Sequence, residues 1–168
     1  MSQRYLIALG SNRRHHRHGG PRAVLAAARL ALAEAGITVA GFSPVVASRP
    51  LGPSDRTYAN AVAAVVAPFD PPEMLARLKE IESRFGRRPR GRRWASRVLD
   101  LDVVLWDGGC WADEALIVPH RSFRERIFVL GPALRGVGGW HDPLTGLSLR
   151  QLHARLTRPR PAPKPPHT

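Results

Sequence analysis

Arg97-Val98-Leu99-Asp100-Leu101-Asp102-Val103-Val104-Leu105-Trp106 reads as a β-strand, rich in Val and Leu and closed by the turn signal Asp107-Gly108-Gly109. Alternate residues of a strand share a face, so Asp100 and Asp102 point the same way, roughly 6–7 Å apart along the chain. Leu99, Leu101 and Val103 take the other face. Two neighbouring carboxylates repel unless a cation lies between them or one takes up a proton. A hard divalent metal with oxygen ligands is the natural partner, Mg²⁺ above all where a substrate brings phosphates. The plain alternative is a strand whose polar face meets water.

Upstream, Arg4 to Leu9 is a strand candidate followed by the turn Gly10-Ser11-Asn12, and Arg13 to Arg22 is a basic, His-rich loop. Closely spaced histidines can bind a transition metal, but such a tract is more often a solvated loop. Ala23 to Ala35 is built of strong helix formers and stops at Gly36. A second strand lies within Ile37 to Ser48, and Tyr58 to Ala67 forms a third. Asp70 as N-cap, Pro71 at N1 and Glu73 at N3 predict a helix over Pro71 to Phe85, with Met74, Leu75, Leu78, Ile81 and Phe85 on its core face. Gly86 to Arg93 carries five Arg residues in eight, a strongly positive loop without regular structure.

After the Asp100/Asp102 strand come a loop from Gly108 to Glu114, the segment Val118-Pro119-His120, and a short helical stretch around Ser122 to Arg126. Ile127 to Leu134 is apolar, Gly136 to Gly146 is Gly-rich, and a last helix runs from Ser148 to Leu156. The order β-α-β-β-α-β predicts an α+β, ferredoxin-like sheet with helices on one face and a C-terminal extension, leaving the other face to carry a site. Residues 1–157 are expected to form one domain, and Arg158 to Thr168, with five prolines in eleven residues, a disordered tail.

Composition narrows the choices. No apolar run approaches the ~20 residues that cross a bilayer, and the single Cys110 permits neither a disulfide nor a multi-Cys metal site. A monomer in a reducing cytoplasm is the expectation. The net charge of +13, nearly all from Arg, suits nucleic acid, anionic lipid or a polyphosphate substrate. There is no Walker A sequence, no spaced Gly-x-Gly-x-x-Gly and no Gly-x-Ser-x-Gly. A nucleotide would therefore be held by side chains and metal, with catalysis mostly by positioning and electrostatics.

Gly10-Ser11-Asn12, Arg49-Pro50-Leu51-Gly52 before Tyr58-Ala59-Asn60, Gly86-Arg87, Arg93-Trp94, Arg97-Val98-Leu99-Asp100-Leu101-Asp102, and Val118-Pro119-His120 with Arg126 and Phe128 occur in one order at fitting spacings. In this the chain resembles the 6-hydroxymethyl-7,8-dihydropterin pyrophosphokinases of folate synthesis over roughly residues 4–145. The resemblance implies transfer of pyrophosphate from ATP to the pterin's hydroxymethyl oxygen, with release of AMP and use of a pair of Mg²⁺ ions on Asp100 and Asp102. It further implies that Arg97, His120 and Arg126 contact the ATP phosphates. Arg87 and Trp94 would lie on a loop that closes over the reactants, and both, with Arg88, would contact ATP. Tyr58 and Phe128 would sandwich the pterin ring, with Asn60 on its polar edge and Ser48, Leu51 and Trp94 beside it. Some positions depart from the family pattern: Trp94-Ala95-Ser96-Arg97 stands for the usual Trp-Gly-Pro-Arg, and Arg121 for a common aromatic residue.

Three alternatives stay open: a paralogue acting on a modified pterin, a degenerate pyrophosphokinase kept as a partner-binding subunit, and a basic nucleic-acid-binding module. The nucleic-acid reading is disfavoured because Arg4 to Leu9 and Tyr58 to Asn60 lack the aromatic-rich RNP pattern. Intact Asp100, Asp102, Arg97 and His120 argue against the degenerate subunit.

Overall fold

The computed structural model describes residues 1–49, 56–86 and 98–160. Its central sheet holds β1 (Gln3–Ser11), β2 (Thr38–Phe42), β3 (Val46–Ser48), β4 (Tyr58–Ala67) and β5 (Asp100–Trp106). The order is β2-β4-β1-β5, with β3 also on β4, and every pairing is antiparallel. The two Asp residues thus sit on a strand bound to β1 along one side. β1 runs through Gly10 and Ser11, so the expected turn there is part of the strand: Gly10 pairs with Asn60 on one side and Asp100 on the other.

The second strand predicted within 37–48 is two strands on the same edge of β4. Pro44 has no N–H to give the ladder, and Ser43 bridges the gap. Its N–H donates to the Val62 carbonyl at 2.9 Å, and its Oγ accepts the Val62 N–H at 2.9 Å.

Helices α1 (Pro21–Glu34) and α2 (Pro71–Arg84) cover one sheet face. α2 carries the predicted capping box: Asp70 accepts the Glu73 N–H at 2.9 Å and Glu73 accepts the Asp70 N–H at 3.1 Å. Tyr5, Ile7, Leu9, Ala61, Leu101 and Val103 meet Leu25, Leu32, Met74, Leu78 and Ile81 there, all buried. Burying each large aliphatic side chain in such a cluster is worth about 1.5–3 kcal/mol.

The expectation of helices on one face only does not hold. α3 (Ile127–Gly136) and α4 (Leu149–Thr157) build a second core on the opposite face, around Leu6, Val62, Val104, Leu105, Phe123, Leu130 and Leu152. The reason lies in β5, where a bulge against β1 adds one residue between Val103 and Leu105. Val104 and Leu105 therefore both serve the second core, and the sheet needs a cover there. Uniformly apolar residues hid α3 from a periodicity reading, and Pro132 lies inside it.

Two further elements differ from expectation. The loop over 108–114 contains β6 (Trp111–Ala112), which pairs with β7 (Ile117–Val118) as a small hairpin. The stretch around 122–126 is one 3-10 turn, Phe123–Glu125. α4 starts on a second capping box, Ser148 with Gln151. Of the expected tail, residues 158–160 are exposed and the rest lies outside the described residues.

Candidate active site

The polar end of the second sheet face lies beyond the cover of α3 and α4. Reading across the strands, Asp100 is opposite Gly10, Gly10 opposite Asn60, and Asn60 opposite Val46. With strands ~4.8 Å apart, Asp100 and Asn60 are separated by about 10 Å, and only a glycine lies between them. A Cβ on Gly10 would stand 3.6 Å from Asn60 Oδ1 and 3.9 Å from the Tyr58 ring. The bare glycine therefore forms the floor of a groove with Tyr58 and Asn60 on one wall and the carboxylates on the other.

Asn60 is 5% exposed and its Nδ2 donates to Ser48 Oγ at 2.7 Å. That bond commits the amide's donor side, so Oδ1 is the atom presented to the groove. Tyr58 is directly opposite Ser48 in the β3–β4 ladder. The predicted pterin contacts Ser48, Tyr58 and Asn60 are thus one connected set. Phe128 sits in the first turn of α3, which packs across β4, and so joins the same face.

Asp102 is one step along β5, opposite Ala8. Arg126 Nη1 lies 3.6 Å from its Oδ2 and His120 Nε2 lies 3.9 Å from the same oxygen. Neither distance is a hydrogen bond; both groups stand close around the same carboxylate oxygen. His120 is placed by β5 itself: its N–H donates at 2.9 Å to the carbonyl of Val104, the bulge residue. Its Nδ1 accepts the Ser122 N–H at 3.1 Å, so the ring proton of the neutral form is on Nε2, facing Asp102.

The ring is neutral at pH 7. Burial, then the Arg126 charge, push the His120 pKa down to about 4, with Asp100 opposing. The His120–Asp102 contact is therefore no ion pair, and Nε2–H is a hydrogen-bond donor. Arg126 supplies the local positive charge, its guanidinium 5.8 Å from the Phe128 ring centre.

Of the predicted site residues, Ser48, Tyr58, Asn60, Asp100, Asp102, His120, Arg126 and Phe128 share this face. Leu51, Arg87, Arg88, Trp94 and Arg97 lie outside the described residues. Two residues, one buried carboxylate and one glycine, are not marked as site residues by the sequence. Glu82 of α2 is 1% exposed and its Oε1 accepts the Leu101 N–H at 2.8 Å, between the two aspartates. Its signal was a carboxylate four residues after Leu78, within an apolar helical stripe. Gly10 was read as a turn, and its role as groove floor has no local signature.

The His-rich tract lies elsewhere, over α1 and the end of α2. The His15 ring packs at 4.4 Å on His16 and 4.6 Å on His18, and His18 stacks at 5.0 Å on Phe85. His15 Nδ1 already accepts the Arg17 and His18 N–H groups. Nitrogen lone pairs lie in the ring planes, so stacked rings do not converge on one ion. Among the described residues no group of three His, Cys, Asp or Glu side chains is arranged to hold a metal. The Asp100/Asp102 pair fits a different demand. Mg²⁺ takes one or two carboxylates and fills its shell with water and substrate phosphates.

Comparison with known proteins gives a consistent pattern. The family model described as 7,8-dihydro-6-hydroxymethylpterin-pyrophosphokinase matches residues 6–136, from β1 to the end of α3. The 2-amino-4-hydroxy-6-hydroxymethyldihydropteridine pyrophosphokinase of Methylorubrum extorquens is 40% identical over 134 residues, covering 79% of this chain and 80% of that one. That of Pseudomonas aeruginosa is 38% identical, covering 85% and 90%. For the Synechocystis protein of the same name, 37% identical, the match covers 76% of this chain and 64% of the relative. Among solved structures, wild-type Plasmodium falciparum HPPK-DHPS with pteroate superposes with a TM-score of 0.68 at 12% identity, over 92% of this chain and 42% of that one. That likeness bears on the fold alone. No helix among the described residues is long and apolar enough to cross a membrane.

Proposed function

The chain belongs to the 7,8-dihydro-6-hydroxymethylpterin-pyrophosphokinase family, and on that premise we propose that it transfers pyrophosphate from ATP to 6-hydroxymethyl-7,8-dihydropterin. The hydroxymethyl oxygen bonds to the β-phosphorus while the bond from that phosphorus to the α,β-bridging oxygen breaks. The hydroxyl proton passes to water, and AMP and the pterin diphosphate leave. The observation that supports this reading is the row Asp100–Gly10–Asn60, with Asp102 two residues along β5 opposite Ala8, so that two carboxylates face an amide-plus-aromatic wall across a glycine.

In this reading Tyr58 and Phe128 take the faces of the pterin ring, the stacking geometry flat heteroaromatic rings favour. Asn60 Oδ1 accepts from a donor on the ring's polar edge, and Ser48 holds the amide in that orientation. Asp100 and Asp102 would hold Mg²⁺, which when bound withdraws charge from phosphoryl oxygens as a Lewis acid. Arg126 adds a fixed positive charge, and neutral His120 donates its Nε2–H to a phosphate oxygen without adding charge. Arg97 and Arg88 are read with them as ATP contacts, and Arg87 and Trp94 as ATP contacts on a loop that closes over the reactants. Leu51 lines the pterin side. The sheet is read as a ferredoxin-like one elaborated by β3 and the C-terminal helices, forming a single domain over 1–157 and acting as a cytoplasmic monomer.

The test is AMP release from ATP and Mg²⁺, with and without 6-hydroxymethyl-7,8-dihydropterin. Pterin-dependent AMP, without ADP, supports the reading. No AMP from a folded chain sinks it and moves weight to a modified pterin.

A further inference from the structure

Asp142 is fully buried, in the loop between α3 and α4, and lies outside the span that matches the family model. Its carboxylate receives Arg124 through both Nε and Nη2, each at 2.7 Å, the Thr145 hydroxyl at 2.6 Å and the Leu144 N–H at 3.1 Å. Bidentate pairing of this kind fixes angle as well as distance. Burial alone would raise the pKa of this carboxylate, but the hydrogen bonds from Arg124, Thr145 and Leu144, with the Arg124 charge, outweigh it and hold it below its ordinary value.

Arg124 lies in the 3-10 turn Phe123–Glu125, between His120 and Arg126. That turn is fastened at three points. At its start the His120 N–H is tied to the Val104 carbonyl, in its middle Phe123 is buried, and beyond that Arg124 is tied to Asp142. At its end Arg126 is the N-cap of α3, and no side chain caps that helix start. Arg126 is held on both sides: its N–H donates to the Phe123 carbonyl of the turn at 3.2 Å, and its own carbonyl accepts the Val129 and Leu130 N–H groups of α3 at 3.0 Å, so the turn's anchorage sets where that helix start and Arg126 sit.

We propose that Asp142, acting through Arg124, is a positioning residue that holds the 120–126 turn so that Arg126 and His120 both face Asp102. The inference rests on the reading of Arg126 and His120 as ATP-phosphate contacts. It gives the C-terminal segment a part in nucleotide binding through Arg124 and the 120–126 turn.

The full chain and its Asp142→Ala and Arg124→Lys variants are compared by calorimetric titration with Mg·ATP, steady-state AMP formation and thermal unfolding. Arg124→Lys keeps the charge and loses the two-pronged fit, so it carries the test if Asp142→Ala does not fold. The expected result, at temperatures where each variant is fully folded, is Mg·ATP affinity weakened about tenfold to a hundredfold in Asp142→Ala. Arg124→Lys should fall between it and the unaltered chain, and the KM for the pterin should stay within about twofold of the original. Variants that melt earlier but bind Mg·ATP as the unaltered chain does would overturn the proposal and leave the pair a structural tie. An unaltered chain that binds no Mg·ATP would overturn the functional reading, and this assignment with it.

Discussion

Glu82 Oε1 accepts the backbone N–H of Leu101 at 2.8 Å, so a buried carboxylate on α2 holds the outer edge of the strand between its two aspartates. On the other side of β5, β1 supplies the ladder. β5 is thus gripped from both sides where Asp100 and Asp102 must keep their spacing. Glu82→Ala should lower stability by about 1–3 kcal/mol, the cost of a buried donor losing its partner, and reduce turnover with it. Glu82→Gln, which keeps an acceptor oxygen, should lose less. Urea unfolding followed by circular dichroism, beside AMP formation, checks both.

Asp100→Ala and Asp102→Ala should each cut AMP formation by about a hundredfold or more while the melting temperature stays within a few degrees. Both side chains point to the partly open face and fill neither core. Removing Mg²⁺ with a chelator should abolish turnover of the unaltered chain in the same assay. Full activity in either variant would sink the metal assignment.

His120 links stability to pH. Its pKa is about 4 in the folded chain against an ordinary 6.5, so between those values the unfolded chain binds the proton and the folded chain does not. Stability contributed by this group is therefore complete above pH 6.5 and falls as pH drops toward 4, where the loss saturates. The loss between pH 7 and pH 5 should be about 2 kcal/mol. His120→Gln should flatten that part of the profile, measured as the urea midpoint at each pH.

Gly10→Ala separates folding from binding. The new methyl would make only ordinary contacts, 3.6 Å from Asn60 Oδ1 and 3.9 Å from the Tyr58 ring, so the chain should fold and melt as before. The same methyl would rise from the groove floor where the pterin is read to lie. The KM for the pterin should increase about tenfold or more while that for ATP changes little. Unchanged pterin kinetics would place the ring elsewhere.

Much of the site was readable because it is written in local periodicity. Two-residue alternation puts Asp100 and Asp102 on one face and Tyr58 with Asn60 on another strand's matching face. The capping residues Asp70 and Glu73 mark the start of α2, and Tyr58–Ala67 has the predicted strand bounds. These features depend on neighbours in the chain, and any fold containing the segments would show them.

Other features depend on residues far apart. The extra residue at Val104 faces a second core only because α3 and α4 come back to cover it, and its carbonyl becomes the anchor of His120. Ser43 fills a gap left by Pro44 only against β4. Arg124 finds Asp142 eighteen residues on, and Gly10 is a groove floor only between Asp100 and Asn60. A sequence specifies what a segment can be through its own backbone and side-chain preferences. Which segments meet is decided by the joint burial of the two cores, and this meeting placed the carboxylates, the amide wall, neutral His120 and the Arg126 guanidinium around one open patch.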